Sequence, residues 1–442
     1  MITSVYLKNY KSFSEIFADF TINKAENPLV AIYGENGSGK TNLIETIIKL
    51  SESTRTIYNA HELSKIQEQL TKENENKDFL KMLASVNIAQ SNISSVFKNS
   101  HTIGNTDDMV IKYSFNIKGK KGYYSLTFDS DGMLIEEKLY SIIGKRAGNL
   151  YTIYKDDNNK LNSKISPSLI SSTDLRQELK NSLNRLWGTH TLLAIFGDIY
   201  DKFNKEFIDN SVLDNLKNIF SEFQHISFKN EKSMGVMSNK AILNELESGK
   251  INIKNKSRLE KTTEVLNQFF PRLYTDIKRV HYDIEEGADE LHYQLIVEKK
   301  VDAKVINIPF AQESTGTKKL LELFPLILLA TDGGTVIIDE IDTGIHDLLI
   351  SKLVENLADS ITGQLIFTTH DTLLMQTLPT QNIYVIQVDY QGRKRVSNLN
   401  QASGSRLRDS NNIQKLYLNG YFSGIPYLND VDFDDILETI ED

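Results

Sequence analysis

Cysteine is absent from the 442-residue chain. That excludes disulfides and thiolate metal sites and fits a reducing compartment. Histidine is scarce, eight in all and mostly isolated, and no Cys/His zinc pattern can be drawn from it. No run of about 18 apolar residues exists to span a bilayer. The nearest stretch, "LLELFPLILLA", is short and is interrupted by Glu322 and Pro325. The opening "MITSVYLKNYKSFSEIFADF" alternates apolar with polar residues, so no signal peptide is expected. Excess positive charge is missing too. Lys and Arg number 50 against 59 Asp and Glu, a net of −9, so no global field draws the chain to nucleic acid or anionic lipid. These absences predict a soluble, cytoplasmic protein and confine nucleic-acid contact to a local patch.

What is present is ordinary globular material, 25% charged and 40% hydrophobic, long enough for two or three domains with a sizeable core. Residues 1–50 read as three strands, a loop and a helix: "SVYLKNYKSF", "EIFADFTI", "PLVAIYG", "ENGSGK", "TNLIETIIKL". Residues 51–108 turn polar, with helical spacing and then loop composition. Residues 109–150 return to period-2 alternation, and the turns "KGKKG" and "DSDG" predict a three-stranded meander. Residues 151–278 carry amphipathic helices and read as one inserted helical domain. A strand pair, "DIKRVHYDIEE" and "ELHYQLIVEKK", opens the next unit, 279–428, where strands and helices alternate as in an α/β sheet.

"GENGSGKT" (Gly34 to Thr41) fits the pattern G-x-x-x-x-G-K-[ST] without a mismatch, between an apolar strand and a helix. Glycines 34, 37 and 39 let backbone amides close around phosphates, and the helix adds its positive end. The cradle is expected to hold a nucleoside triphosphate through Gly34, Asn36, Gly37, Ser38, Gly39, Lys40, Thr41 and Asn42. Lys40 would bridge the β- and γ-phosphates and Thr41 would ligate Mg2+. "TVIIDE" puts Asp339 and Glu340 at the end of a buried strand. Carboxylates also sit at strand ends because solvent begins there, but beside a phosphate loop Asp339 suits Mg2+ and Glu340 the attacking water. "QLIFTTHD" ends a further strand at His370, one crossover helix later. A lone histidine there is commonly just packed or solvated; the neighbouring strand end of one sheet would bring it beside the γ-phosphate.

The order of these pieces, with "ESTGTKK" and "DTGIHD" between them, resembles the ABC-type ATPase heads, in particular the RecF, OLD and structural-maintenance-of-chromosomes branch. The opening "YLKNYKSF" looks like that branch's first strand, with Tyr10 and Lys11 in place of Phe and Arg, which makes Lys11 and Ser12 candidates beside the nucleotide. The C-terminal part, "QLIFTTHDTLLMQ", "NIYVIQVD" and "LRDSNNIQKLYLNGYFSGIPYL", looks like the AAA-family ATPases of bacterial abortive-infection systems, which occur beside a small toxin or nuclease, often of TOPRIM type. "NGYF" stands where that family more often has Gly-Arg-Tyr. The resemblance implies an α/β P-loop NTPase fold: an ABC-ATPase-like head of mixed sheet, flanking helices and antiparallel meander, with the helical insertion. It implies ATP and Mg2+ sandwiched between two heads of a homodimer or higher oligomer. Lys40, Thr41, Asp339, Glu340 and His370 would act in cis. Ser314 and Gly316 would close on the γ-phosphate of the partner, and Asp342 would run along the interface. Gln90 is a weak candidate for the glutamine that senses Mg2+ in many such heads. The implied function is an ATPase switch in anti-phage defence that governs a separate effector; the alternative is a RecF-like repair ATPase clamping duplex DNA.

On its own residues, Ser314 or Thr315 is also a helix N-cap for the apolar run that follows. Residues 225–261 hold eight Lys and Arg against four Glu, either a surface for an acidic partner or a solvated segment. The tail 429–442 has seven acidic residues and no basic one. Phe433, Ile436, Leu437 and Ile440 share a helical face there, packed on the domain or docking a partner. No second catalytic cluster is visible.

Overall fold

The computed structural model describes residues 1–72, 88–230, 233–235, 241–402, 412–425 and 433. In chain order, β1 (Ile2–Tyr10), β2 (Phe13–Asp19), a two-residue pair β3 (Thr21–Ile22) and β4 (Ala25–Glu26), and β5 (Leu29–Gly34) precede α1 (Lys40–Ser53) and α2 (Thr56–Lys72). The short α3 (Ile93–Val96) leads to β6 (Met109–Ile117), β7 (Lys120–Phe128), β8 (Leu134–Ile143), β9 (Arg146–Lys155) and β10 (Leu161–Ile165). Four helices follow: α4 (Thr173–Leu186), α5 (Leu192–Lys202), α6 (Lys205–Ser211) and α7 (Asp214–Gln224). Then come β11 (Ser227–Lys229), β12 (Met234–Gly235), β13 (Ser248–Asn252), α8 (Lys256–Leu273), β14 (Ile277–Glu286), β15 (Glu290–Val301) and β16 (Lys304–Pro309). The last third holds α9 (Thr315–Thr331), β17 (Thr335–Ile338), α10 (Asp347–Ala358), β18 (Gln364–Thr368), α11 (Leu374–Thr377), β19 (Ile383–Val388), β20 (Lys394–Asn398), α12 (Leu399–Ala402) and α13 (Ile413–Leu418).

Two seven-stranded sheets carry the fold. The antiparallel one runs β10-β9-β8-β7-β6-β1-β2; its β6 alternates buried and half-buried residues along its whole length. The other runs β12-β11-β17-β18-β5-β19-β20. Its strands from β11 to β19 pair in parallel, and only the edges β12 and β20 are antiparallel. β5, β17 and β18 are buried at every position, which is why "LVAIYG", "TVII" and "QLIFT" read as nearly continuous apolar runs. Val30 and Ile32 join one core with the antiparallel sheet, α1 and the helices α4–α7. Leu29, Ala31 and Tyr33 join a second core with α8–α10 and the small sheet β13–β16. One strand thus feeds two cores by its period of two. Among the described residues no helix is long and apolar enough to cross a membrane.

Three readings need correction. The meander has five strands, not three, because β9 and β10 continue it. They reach into the residues expected to start the helical insertion; Leu150, Tyr151 and Ile153 are fully buried, but the adjacent buried pair, at an irregularity in the β8–β9 register, breaks the alternation, and the polar "GKRAGN" before it further masks the strand. The stretch 151–278 is also not helical throughout, since β11 and β13 return to the second and third sheets. Finally, the strand pair at 277–301 grows into a four-stranded sheet: β13 pairs with β15, and so does β16, through the tight turn at Asp302 and Ala303, both at positive φ (45° and 64°). The tail 429–442, apart from the exposed Phe433, lies outside the described residues, as does part of the polar segment after α2.

Candidate nucleotide-binding site

The cradle forms where β5 stops and α1 starts. Gly37 and Gly39 sit at φ of 80° and 108°, left-handed values that L-residues avoid. A Cβ on Gly39 would come within 2.6 Å of the Phe13 ring, and one on Gly34 within 2.6 Å of Ser38 Oγ. The Gly39 cap offers α1 no side-chain acceptor, so the first-turn amides keep their donors for an anion. Lys40 Nζ donates to Gly34 O (2.9 Å) and Glu35 O (3.3 Å). Burial pulls the Lys40 pKa down, against the upward pull of Glu340, Asp339, Asp342 and Glu35. Ser38 Oγ is buried without a hydrogen-bond partner, which is costly unless a ligand supplies one. The residues present therefore fit a polyphosphate.

The acidic strand end lies two strands from the cradle, with β18 between. Thr368, the last residue of β18, pins it: its hydroxyl donates to Asp339 Oδ1 and accepts the Glu340 N–H at 2.8 Å. Glu340 takes a left-handed φ of 49°, and Thr343 Oγ1 donates to its Oε2 at 3.0 Å. The His370 N–H donates to Asp342 Oδ2 at 3.3 Å, and the other Asp342 oxygen is buried without a partner. Burial and then the Lys40 charge push the His370 pKa below its ordinary value, although Asp342, Glu340 and Asp339 oppose them. Burial and the nearby cation thus both favour the neutral imidazole. A cleft of about 460 Å³ is lined in common by Thr41, Asp339 and Glu340 together with Lys11, Glu45 and Lys229. Oxygen ligands of this kind suit a hard cation such as Mg2+.

The β1–β2 turn closes another side. Lys11 pairs with Glu45 of α1, and Asn42 Nδ2 donates to Ser12 Oγ at 3.0 Å. Asn36 is exposed at the loop apex. Ser314 caps α9, accepting from the Thr317 N–H at 3.2 Å. Gly316 packs against the turn after Asp342, where a Cβ would meet Gly344 O at 2.8 Å. Neither Ser314 nor Gly316 lines the cleft of Thr41 and Asp339. Gln90 is elsewhere, donating to Glu52 Oε1 at the far end of α1 (2.7 Å).

Sequence reading missed Glu45, Lys229, Asn230, Lys319 and Thr368. Glu45 was within reach, one helical turn past Thr41. β11 was not, since "SFK" is too short and polar to betray a strand of the parallel sheet. The basic stretch 225–261 is partly spent within the fold: Lys229 pairs with Glu322 (2.7 Å), Lys256 with Glu286 (3.6 Å), and Arg258 bonds Ile242 O.

A phosphate loop on an inner strand of a parallel sheet, an acidic strand end two strands away, and an antiparallel sheet over the loop's helix are the parts of a P-loop ATPase of the AAA/ABC-like class. Within that class the chain belongs to the family described as "AAA domain, putative AbiEii toxin, Type IV TA system", whose model matches residues 29–376. No curated protein matches the sequence. Among solved structures, the chain is similar to the SMC head domain from Thermotoga maritima: 13% identity, 90% of this chain and 98% of that one, TM-score 0.37. It is also similar to an Smc head bound to the C-winged helix domain of ScpA, at 15% identity over 90% and 96%, TM-score 0.41. A third is an Smc head with an extended coiled coil bound to the C-terminal domain of ScpA, derived from Pyrococcus furiosus, at 15% over 90% and 95%, TM-score 0.40.

Proposed function

We propose that the protein binds and hydrolyses ATP between two copies of its head, and that this closure governs a separate toxin or nuclease in an abortive-infection system. The observation that carries the ATPase reading is the convergence of Lys40, Thr41, Asp339, Glu340 and His370 at the C-terminal ends of β5, β17 and β18. Lys40 neutralises phosphate charge from within the loop. Thr41 and Asp339 are the residues that would hold Mg2+, which supplies charge neutralisation on the phosphates when bound. Glu340, oriented by Thr343, accepts a proton from the attacking water, and His370 donates a hydrogen bond toward the γ-phosphate. Ser314 and Gly316, outside the cleft of their own chain, serve the partner's nucleotide. The defence role rests on the family's toxin description. The partial internal use of the basic stretch gives a DNA clamp no support.

The test is turnover and assembly of E340Q and S314R. E340Q should lose about 100-fold or more in kcat while holding ATP and accumulating a closed dimer. S314R should bind ATP as a monomer yet neither close nor hydrolyse. Unchanged turnover in E340Q, or a normal ATP-dependent dimer in S314R, refutes the assigned roles.

A further inference from the structure

We propose that Lys394 is a second cationic determinant of the nucleotide site, a positioning residue that fixes the apex of the phosphate loop from outside and adds positive charge behind it. The inference rests on the ATP reading and deepens it. Lys394 opens β20, whose partner β19 lies directly beside β5. Its Nζ donates to Gly37 O at 2.8 Å and stands 5.5 Å from the centre of the Phe13 ring. Phe13 is itself fully buried against Gly39. Ammonium, ring and loop glycine are thereby stacked across the part of the loop that sequence motifs treat as self-sufficient.

Two consequences follow. A loop whose amides gather an anion must turn carbonyls outward, and an outward carbonyl needs a donor. The Gly37–Ser38 peptide meets that demand at both ends: its carbonyl accepts from Lys394, and its N–H, on Ser38, donates within the loop to Glu35 O at 3.2 Å. Lys394 therefore opposes a flip that would turn a carbonyl toward the phosphates. The second consequence concerns charge. Arg393, next in the hairpin, is spent on Asp389 (Nε to Oδ2, 2.7 Å). Lys394 has no carboxylate within 4 Å among the described residues; Glu35 acts on it only from farther away, and burial draws its pKa down. A partly desolvated cation paired with no carboxylate, in a chain of net −9, is costly, and a triphosphate is the charge that offsets it.

The experiment measures equilibrium binding of ATP, ADP and AMP to the full chain, with kcat and KM, for the wild type, K394M, K394R and K394Q. In K394M the ATP Kd should rise about tenfold, the ADP Kd less and the AMP Kd hardly at all, because the lost term scales with phosphate charge. KM should rise with kcat within about twofold, and K394R should recover most of the loss. K394Q keeps a donor for Gly37 O but not the charge. It should show the same phosphate-graded loss, and it reads the effect if K394M fails to fold. R393M should bind like the wild type. An equal loss for ATP and AMP, or no loss in a folded K394M or K394Q, overturns the role of Lys394. A wild type that binds no ATP overturns instead the nucleotide reading on which it rests.

Discussion

Glu137 shows how much one side chain can hold together. Fully buried, it accepts from Tyr124 OH (2.9 Å), Tyr151 OH (2.9 Å), Trp187 Nε1 (2.8 Å) and the Leu192 N–H (2.8 Å). It thus joins three strands of the meander to Trp187 and the first turn of α5. Burial raises its pKa, while the Leu192 amide and the three side-chain donors pull the other way. Breaking such a cluster strands several buried donors, so E137A should cost about 3–5 kcal/mol of unfolding free energy. E137Q, which keeps one acceptor and sets an amide against a donor, should cost about 2–3 kcal/mol. Urea unfolding at neutral pH measures both; a change below about 0.5 kcal/mol in E137A would show that the cluster is ornamental. Alternation along "LIEEKLY" puts Glu137 on the same strand face as the buried Leu139, so its burial was legible. Its donors were not, because Trp187 arrives from 50 positions away. The same division holds at the site. Local geometry disclosed Gly34 to Thr41, whereas Thr368 as the pin of Asp339 and Glu340 depends on which strand lies between.

At the scale of one helix, α1 carries a line of function and charge. Thr41, Glu45 and Lys49 recur every four residues and Glu52 follows on the same face. Glu45 pairs with Lys11 and with Lys49 (3.2 Å), and Glu52 is held by Gln90. Burial lifts the Glu52 pKa from its ordinary 4.5 to about 7, with Glu45 adding to the rise and Lys49 and the Gln90 bond resisting it. Between those two values the folded chain keeps a proton that the unfolded chain has released. Its contribution is thus fully present below the unfolded value and lost as pH rises through about 7. E52Q cannot ionise, so relative to the wild type it should gain up to about 3 kcal/mol at pH 8 and little at pH 5. Chemical denaturation at the two pH values decides; a difference independent of pH would mean that Glu52 is ionised throughout. Buried His190, whose pKa is lowered to about 4 chiefly by burial, loses stability on acidification, but that term is common to both proteins and cancels. Element boundaries were legible where a period ran unbroken, as in β6 and α10. They were lost where a strand was as short as β11 or was introduced by polar residues as in β9.

For the molecule as a whole, the sheet order does what the motif order could only suggest. β18 stands between β5 and β17, so residues about 300 positions apart in sequence end at one edge, while β5 feeds a core on each side. Ser314 caps α9 and Gly316 lies in its first turn, and neither lines the shared cleft; the proposed function assigns both to the nucleotide of a second chain. That proposal has a test no single variant offers. K40A cannot hold nucleotide, and S314R cannot serve a partner, so each is expected to be inactive alone. In a heterodimer of the two, one site pairs Lys40 of the S314R chain with Ser314 of the K40A chain and is intact, while the other site carries both defects. With random pairing half of the dimers are mixed, so an equimolar mixture should recover up to about a quarter of wild-type turnover if sites act independently. Recovery would require that the two residues work across chains. A mixture as dead as its components, with heterodimers demonstrated by a tagged chain, would mean that Ser314 acts in cis or that both sites must fire together, and a covalently linked pair with one intact site would separate the two.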